Sequence, residues 1–157
     1  MKAVYNIESL RNNSETVSDY LSSAIESAPR LAKRLREYNL DETVADKLKR
    51  YSEEAIIFAF SAEWCPDCYS NIPVLKLISD VTGIEVRVFG HLMRDAKNPN
   101  ERWRIPPSPP EVKEFDVVKI PLIVVLDNEG RRIGEVIENP PERKTLEEAL
   151  LDILEGD

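Results

Sequence analysis

The residues that most constrain the fold are Ala55 to Phe60, AIIFAF, a continuous apolar run followed at once by Trp64-Cys65-Pro66-Asp67-Cys68. Six apolar residues without alternation match a strand covered on both faces. The two cysteines, separated by two residues, then stand at the start of a helix, with Cys68 one turn inside it. Apolar residues Val74, Leu77, Ile78 and Val81 mark the expected inner stripe of that helix. Ile84 to Phe89 then alternates and stops at Gly90, as a second strand does. A strand–helix–strand unit of this kind favours a parallel pair, joined by a right-handed crossover.

The rest of the chain fits around that unit. Leu122 to Leu126 reads as another buried strand, and Asp127-Asn128-Glu129-Gly130 turns it into a hairpin with Arg131 to Ile137. Thr145 and Glu148 form a capping box for a last helix with its stripe at Leu146, Ala149, Leu150, Ile153 and Leu154. Upstream, Val17, Tyr20, Leu21, Ala24 and Ile25 form one helical stripe, Pro29 opens a second helix and Asp41 caps a third. The expected organisation is a helical N-terminal extension over residues 1–52 and an α/β domain over 53–157, its mixed central sheet flanked by helices. His91 to Pro110, rich in Pro, Asn and Arg, reads as a loop.

Charge and apolar content narrow the function classes. A formal net charge of −8 on 157 residues, with the basic residues interleaved among acidic ones, argues against a nucleic-acid partner. No run approaches the ~20 apolar residues of a membrane span, and Met1 to Ser14 lacks a secretory h-region. A cytoplasmic location is therefore expected, where a close cysteine pair is more often catalytic or metal-binding than structural.

Cys65 and Cys68 are the only cysteines. At a helix start, unpaired backbone N–H groups and the helix dipole favour a thiolate, so Cys65 should ionise more readily than the ~8.5 of a free cysteine. Cys68, one turn further in, is placed to resolve a mixed disulfide formed on Cys65. Zinc would require about four ligands, and the chain adds only His91 to the two thiols, so no metal is expected. A disulfide closing so small a loop would constrain the unfolded chain little. A redox-inert binding module remains the alternative to an enzyme.

The segment Phe60-Ser61-Ala62-Glu63-Trp64-Cys65-Pro66-Asp67-Cys68 resembles the active-site segment of the thioredoxin superfamily, specifically the WCPDC thioredoxin-related proteins of bacteria and archaea. Pro73 matches the proline that kinks the active-site helix there, and Ile120-Pro121 matches the cis-proline that faces the disulfide. The likeness runs from about Glu53 to Gly156. It implies a thioredoxin-like fold and a thiol–disulfide oxidoreductase in cell redox homeostasis, with Cys65 and Cys68 catalytic. It further implies that Trp64, Ile120 and Pro121 contact substrate, and that Pro66 and Asp67 tune the redox pair. The Asp67 charge, opposing thiolate formation, points to a reductant. Implied partners are a disulfide-containing protein or small molecule and an electron-donating reductase or thiol, with no cofactor, because the electrons reside in the cysteines. Thioredoxins carry a buried Asp at the position of Ala59, which helps take the proton from the resolving thiol; the resemblance leaves Asp67, Glu63 or water in that role. The stretch from His91 to Pro110 is longer than the family's, and its Arg102, Trp103 and Arg104 suggest a selectivity element near the disulfide.

Overall fold

The structure is a computed structural model and describes residues 4–93 and 108–156. Its order is α1 (Ile7–Asn12), β1 (Glu15–Thr16), α2 (Val17–Ser27), α3 (Pro29–Glu37), α4 (Glu42–Leu48), a 3₁₀ turn (Lys49–Tyr51), β2 (Ala55–Phe60) and α5 (Pro66–Thr82). There follow β3 (Glu85–Phe89), α6 (Glu111–Glu114), β4 (Leu122–Asp127), β5 (Arg132–Ile137) and α7 (Leu146–Glu155). The strands make one five-stranded sheet in the order β1-β3-β2-β4-β5. This is the mixed α/β architecture of a thioredoxin-like fold.

The apolar run at 55–60 is β2, and all six of its residues are buried. It lies at the centre, parallel to β3 and antiparallel to β4, with Phe60 opposite Phe89 on one side and Leu122 on the other. Burial on both faces explains its lack of alternation. Phe60 stacks on Phe89 with ring centroids 4.9 Å apart and meets Phe115 at 5.3 Å. Gly83, in the left-handed conformation at φ 80°, ends α5 and turns the chain into β3. Thr145 and Glu148 close the capping box of α7, and Gly134 in β5 lets Ile153 of that helix approach; a Cβ there would lie 2.6 Å from Ile153 Cγ2.

The N-terminal segment is more than a set of helices. Glu15 and Thr16 pair antiparallel with Val88 and Arg87 of β3, so β1 forms an edge of the central sheet. Two residues leave no periodicity to detect, and β1 was not visible in the sequence. Helices α2 and α3 pack against α5, and their buried residues Tyr20, Leu21 and Leu31 belong to the same core as β2.

The stripe expected along α5 needs correction at two of its four residues, Leu77, which is only half-buried, and Val81. Val81 is 47% exposed, whereas the buried line includes Cys68, Asn71, Ile72, Leu75, Ile78 and Thr82. Two polar residues sit on the inner face because each satisfies its hydrogen bonds locally: Thr82 Oγ1 donates to Ile78 O at 2.6 Å, and Asn71 Nδ2 donates to backbone oxygens of Asp67 and Glu138. Within the His91–Pro110 stretch, Arg102, Trp103 and Arg104 lie outside the described residues. Its two ends meet, with Met93 N donating to Ser108 Oγ at 2.7 Å.

Candidate active site

The path from β2 to α5 determines where the two thiols stand. Ser61, directly after β2, is fixed by its own backbone: its N–H donates to Phe89 O at 3.0 Å and its carbonyl accepts from Leu92 N at 3.4 Å. Four residues later Cys65 takes the N-cap of α5 in an extended conformation, and its Sγ fills the capping role, accepting from Cys68 N at 3.3 Å. Ordinarily a Ser, Thr, Asp or Asn oxygen does this. Pro66 at the first helical position sacrifices no hydrogen bond, because that N–H has no partner within a helix.

Both cysteines are free thiols and both are buried, Cys65 at 5% exposure and Cys68 at 1%. Their ionisation is pushed apart. The Cys65 thiol is held below its ordinary range, first by a hydrogen bond from the Cys68 thiol, then against the cost of burial by the N–H groups of Cys68 and Asp67; the Asp67 carboxylate opposes the effect. Burial pushes Cys68 far up, and its hydrogen bond to Cys65 adds to that. One thiol is thus poised to be the anion and the other to keep its proton.

Ile120 and Pro121 enter from the loop before β4. Their peptide bond is cis, and Cys65 Sγ lies 3.8 Å from Ile120 O. Pro121 O accepts from Glu138 N at 2.8 Å, which ties this loop to the end of β5. The same region braces Asp67: Asn139 Nδ2 donates to Asp67 Oδ1 at 3.2 Å, while Asn71, only 3% exposed, donates to Asp67 O at 2.8 Å and to Asn139 Oδ1 at 3.0 Å. Trp64 is 49% exposed beside Cys65.

A family model described as thioredoxin matches residues 14–151. This chain belongs to the thioredoxin family. The match begins at residue 14, so it takes in β1, α2 and α3 as well as the cysteine motif. Among solved structures, the thioredoxin-family chain is similar to a protein of unknown function, PA1234, from Pseudomonas aeruginosa. The two share 21% identity and a TM-score of 0.66, with 98% of each chain covered. It is also similar to an HIV epitope-scaffold of the 4E10 series at 22% identity and a TM-score of 0.65, with 99% of each chain covered. At such identities the likeness carries the fold. A search of curated proteins gives no match.

Relative to other thioredoxins, the position of the buried Asp is Ala59, fully buried and apolar. The polar groups nearest the resolving thiol come from elsewhere. Ser61 favours the ionised form of Cys68 against the burial that opposes it, and Tyr20 OH lies 3.1 Å from Ser61 Oγ. Ser61 is wholly buried and Tyr20 is 1% exposed. Neither was singled out from sequence as a site residue, since Tyr20 lies on an apolar helical stripe and Ser61 closes an apolar run. Of the acidic groups the sequence offered as proton acceptors, Asp67 is held by Asn139, and Glu63 Oε1 is 2.7 Å from His91 Nδ1. Among the described residues, no group of three or more His, Cys, Asp or Glu could hold a metal ion. No described helix is long and apolar enough to cross a membrane.

Proposed function

We propose that this thioredoxin-family protein is a cytosolic thiol–disulfide oxidoreductase that works as a disulfide reductase. The observation that carries the reading is the unequal pair: Cys65 Sγ caps α5 and accepts from Cys68 N at 3.3 Å, its ionisation is held below the ordinary range, and burial pushes that of Cys68 far up, so one sulfur is readied as a thiolate and the other is kept protonated. The Cys65 thiolate attacks a substrate disulfide, forms a mixed disulfide and expels one substrate sulfur as a thiolate. Cys68 then attacks Sγ of Cys65. The Cys65–substrate S–S bond breaks, the Cys65–Cys68 bond forms, and the Cys68 proton ends on the second departing sulfur. Two electrons pass from the dithiol to the substrate.

The substrate is a protein or small molecule bearing a disulfide. The backbone at Ile120 and Pro121 receives it in extended form, a role supported by the 3.8 Å approach of Ile120 O to Cys65 Sγ. The half-exposed Trp64 contributes the adjoining docking surface. A reductase or a thiol such as glutathione returns the pair to the dithiol. The Asp67 carboxylate disfavours the thiolate and thereby sets the protein as a reductant, nearer the ~−270 mV of thioredoxin than the ~−120 mV of a strong oxidant such as DsbA.

Reduction of insulin disulfides by dithiothreitol tests the reading. The wild-type protein is expected to accelerate it, Cys65→Ser to abolish the acceleration and Cys68→Ser to accumulate mixed disulfides visible by mass spectrometry. A wild-type protein without effect on insulin and without mixed-disulfide formation would instead be a redox-inert binding module.

A further inference from the structure

Resting on the reductase reading, one question concerns the second step: Cys68 is 1% exposed and must become an anion in order to attack. A sulfur anion in such a setting needs donors, since burial otherwise opposes the charge. Three segments meet around a buried pair of hydroxyls, Tyr20 and Ser61. Ser61 follows β2 with its backbone pinned on both sides, by Phe89 O and by Leu92 N. Tyr20 comes from α2 and places its hydroxyl 3.1 Å from Ser61 Oγ. Gly90, at the end of β3, makes room for the Tyr20 ring; a Cβ there would lie 2.4 Å from Tyr20 Cε1.

We propose that Tyr20 and Ser61 form a buried donor chain that stabilises Cys68 as a thiolate during resolution of the mixed disulfide, with Tyr20 OH donating to Ser61 Oγ and Ser61 OH donating to Cys68 Sγ. A serine hydroxyl has one proton to give and lone pairs to accept with, so it can serve both bonds at once. In such a relay each bond polarises the next. Neither hydroxyl takes the proton. Burial holds the Tyr20 phenol above its ordinary range, with the Ser61 bond opposing and the charges of Glu63, Cys68 and Glu15 reinforcing the rise, so it remains a donor at working pH. The Cys68 proton goes to the departing substrate sulfur, as the balanced step above requires. Ser61 follows Ala59 by two residues, and an extended chain keeps alternate residues on one side. The polar contact to the resolving thiol is therefore supplied one alternation further along than Ala59. Ser61 and Tyr20 are positioning residues, since they act through Cys68.

Single-turnover reaction of the fully reduced protein with one equivalent of 5,5′-dithiobis(2-nitrobenzoate) separates the two steps. The first release of thionitrobenzoate reports attack by Cys65 and the second reports resolution by Cys68. A hydrogen bond to a charged sulfur alters its ionisation by about tenfold to a hundredfold. A more basic thiolate regains about half of that logarithm as nucleophilicity, leaving a rate loss of roughly threefold to tenfold. Ser61→Ala is expected to slow the second release by that factor near neutral pH and to move its pH midpoint up by about one to two pH units. Tyr20→Phe, which removes only an oxygen, is expected to act in the same direction and less strongly. A general packing defect would slow both releases and leave the midpoint in place. If Ser61→Ala and Tyr20→Phe both give the wild-type second release and midpoint, the donor chain is overturned while the reductase reading stands. A wild-type protein that gives no first release overturns the reductase reading itself.

Discussion

The hydrogen bond from the Cys68 thiol is the leading cause that holds Cys65 below its ordinary ionisation range, so deleting that thiol is the sharpest test of how the nucleophile is prepared. Cys68→Ala removes the donor and keeps the backbone. What remains for Cys65 Sγ is the Cys68 N–H at 3.3 Å and the Asp67 N–H, set against burial and the Asp67 carboxylate. A hydrogen bond to a charged group contributes about 1.5–3 kcal/mol, equivalent to about one to two pH units. Cys65 in Cys68→Ala should therefore ionise higher by that interval. The pH dependence of the iodoacetamide alkylation rate, followed by intact mass, measures it directly. Cys68→Ser is the control, because a hydroxyl can still donate and should return part of the shift. Equal midpoints in wild type and Cys68→Ala would mean that the Cys68 thiol contributes nothing and that the backbone amides and helix dipole are the whole of the effect.

Two further outcomes follow from buried groups. Because burial raises the folded-state ionisation of Cys68, its contribution is fully present below the unfolded thiol value of ~8.5 and is lost as pH rises beyond it. Under reducing conditions, wild type should lose about 1.4 kcal/mol per pH unit relative to Cys68→Ala between about pH 8.5 and 10, read from urea unfolding; parallel curves would count against it. In the second, Glu147 is wholly buried and accepts from Tyr38 OH and from Asp41 N at 2.9 Å, which ties α7 to the start of α4. Tyr38→Phe leaves that carboxylate one donor short and should cost about 1–3 kcal/mol in the same assay, whereas a loss under about 0.5 kcal/mol would show water taking over the bond.

Elements written in local pattern were legible in the sequence. The run at 55–60, the alternation at 84–89, the Asp127–Gly130 turn and the Thr145–Glu148 box are each complete within a few residues, and each corresponds to a described element. Elements that exist only because of a distant partner were not. The two residues of β1 are a strand by virtue of Arg87 and Val88, more than seventy residues away in sequence. Helix α6 spans four residues directly after a Pro-rich stretch, and helical periodicity cannot be read from one turn. The inner face of α5 differs from an apolar stripe for a further reason: Asn71 and Thr82 are polar residues that the core admits because each donates to a carbonyl one turn back, and Asn71 also to Glu138 O.

The site divides along the same line. Cys65, Pro66 and Cys68 are specified by spacing alone, since a thiol at the N-cap and another one turn later follow from helix geometry. The groups that would govern the second thiol are not local. Tyr20 is 41 residues from Ser61 in sequence, and Asn139 is 72 from Asp67. An apolar stripe on a helix carries no mark to show that one of its members also bears a hydroxyl with a partner. Gly90 is the nearest thing to a signal, and it is ambiguous: a glycine after a strand reads as a stop, whereas here it also clears space for the Tyr20 ring. The cysteine spacing thus specifies which sulfurs meet, while the ease with which Cys68 gives up its proton depends on contacts made across α2, β2 and β3. Two chains with the same WCPDC motif and different residues at the positions of Tyr20, Ser61 and Gly90 should therefore attack disulfides alike and resolve them at different rates.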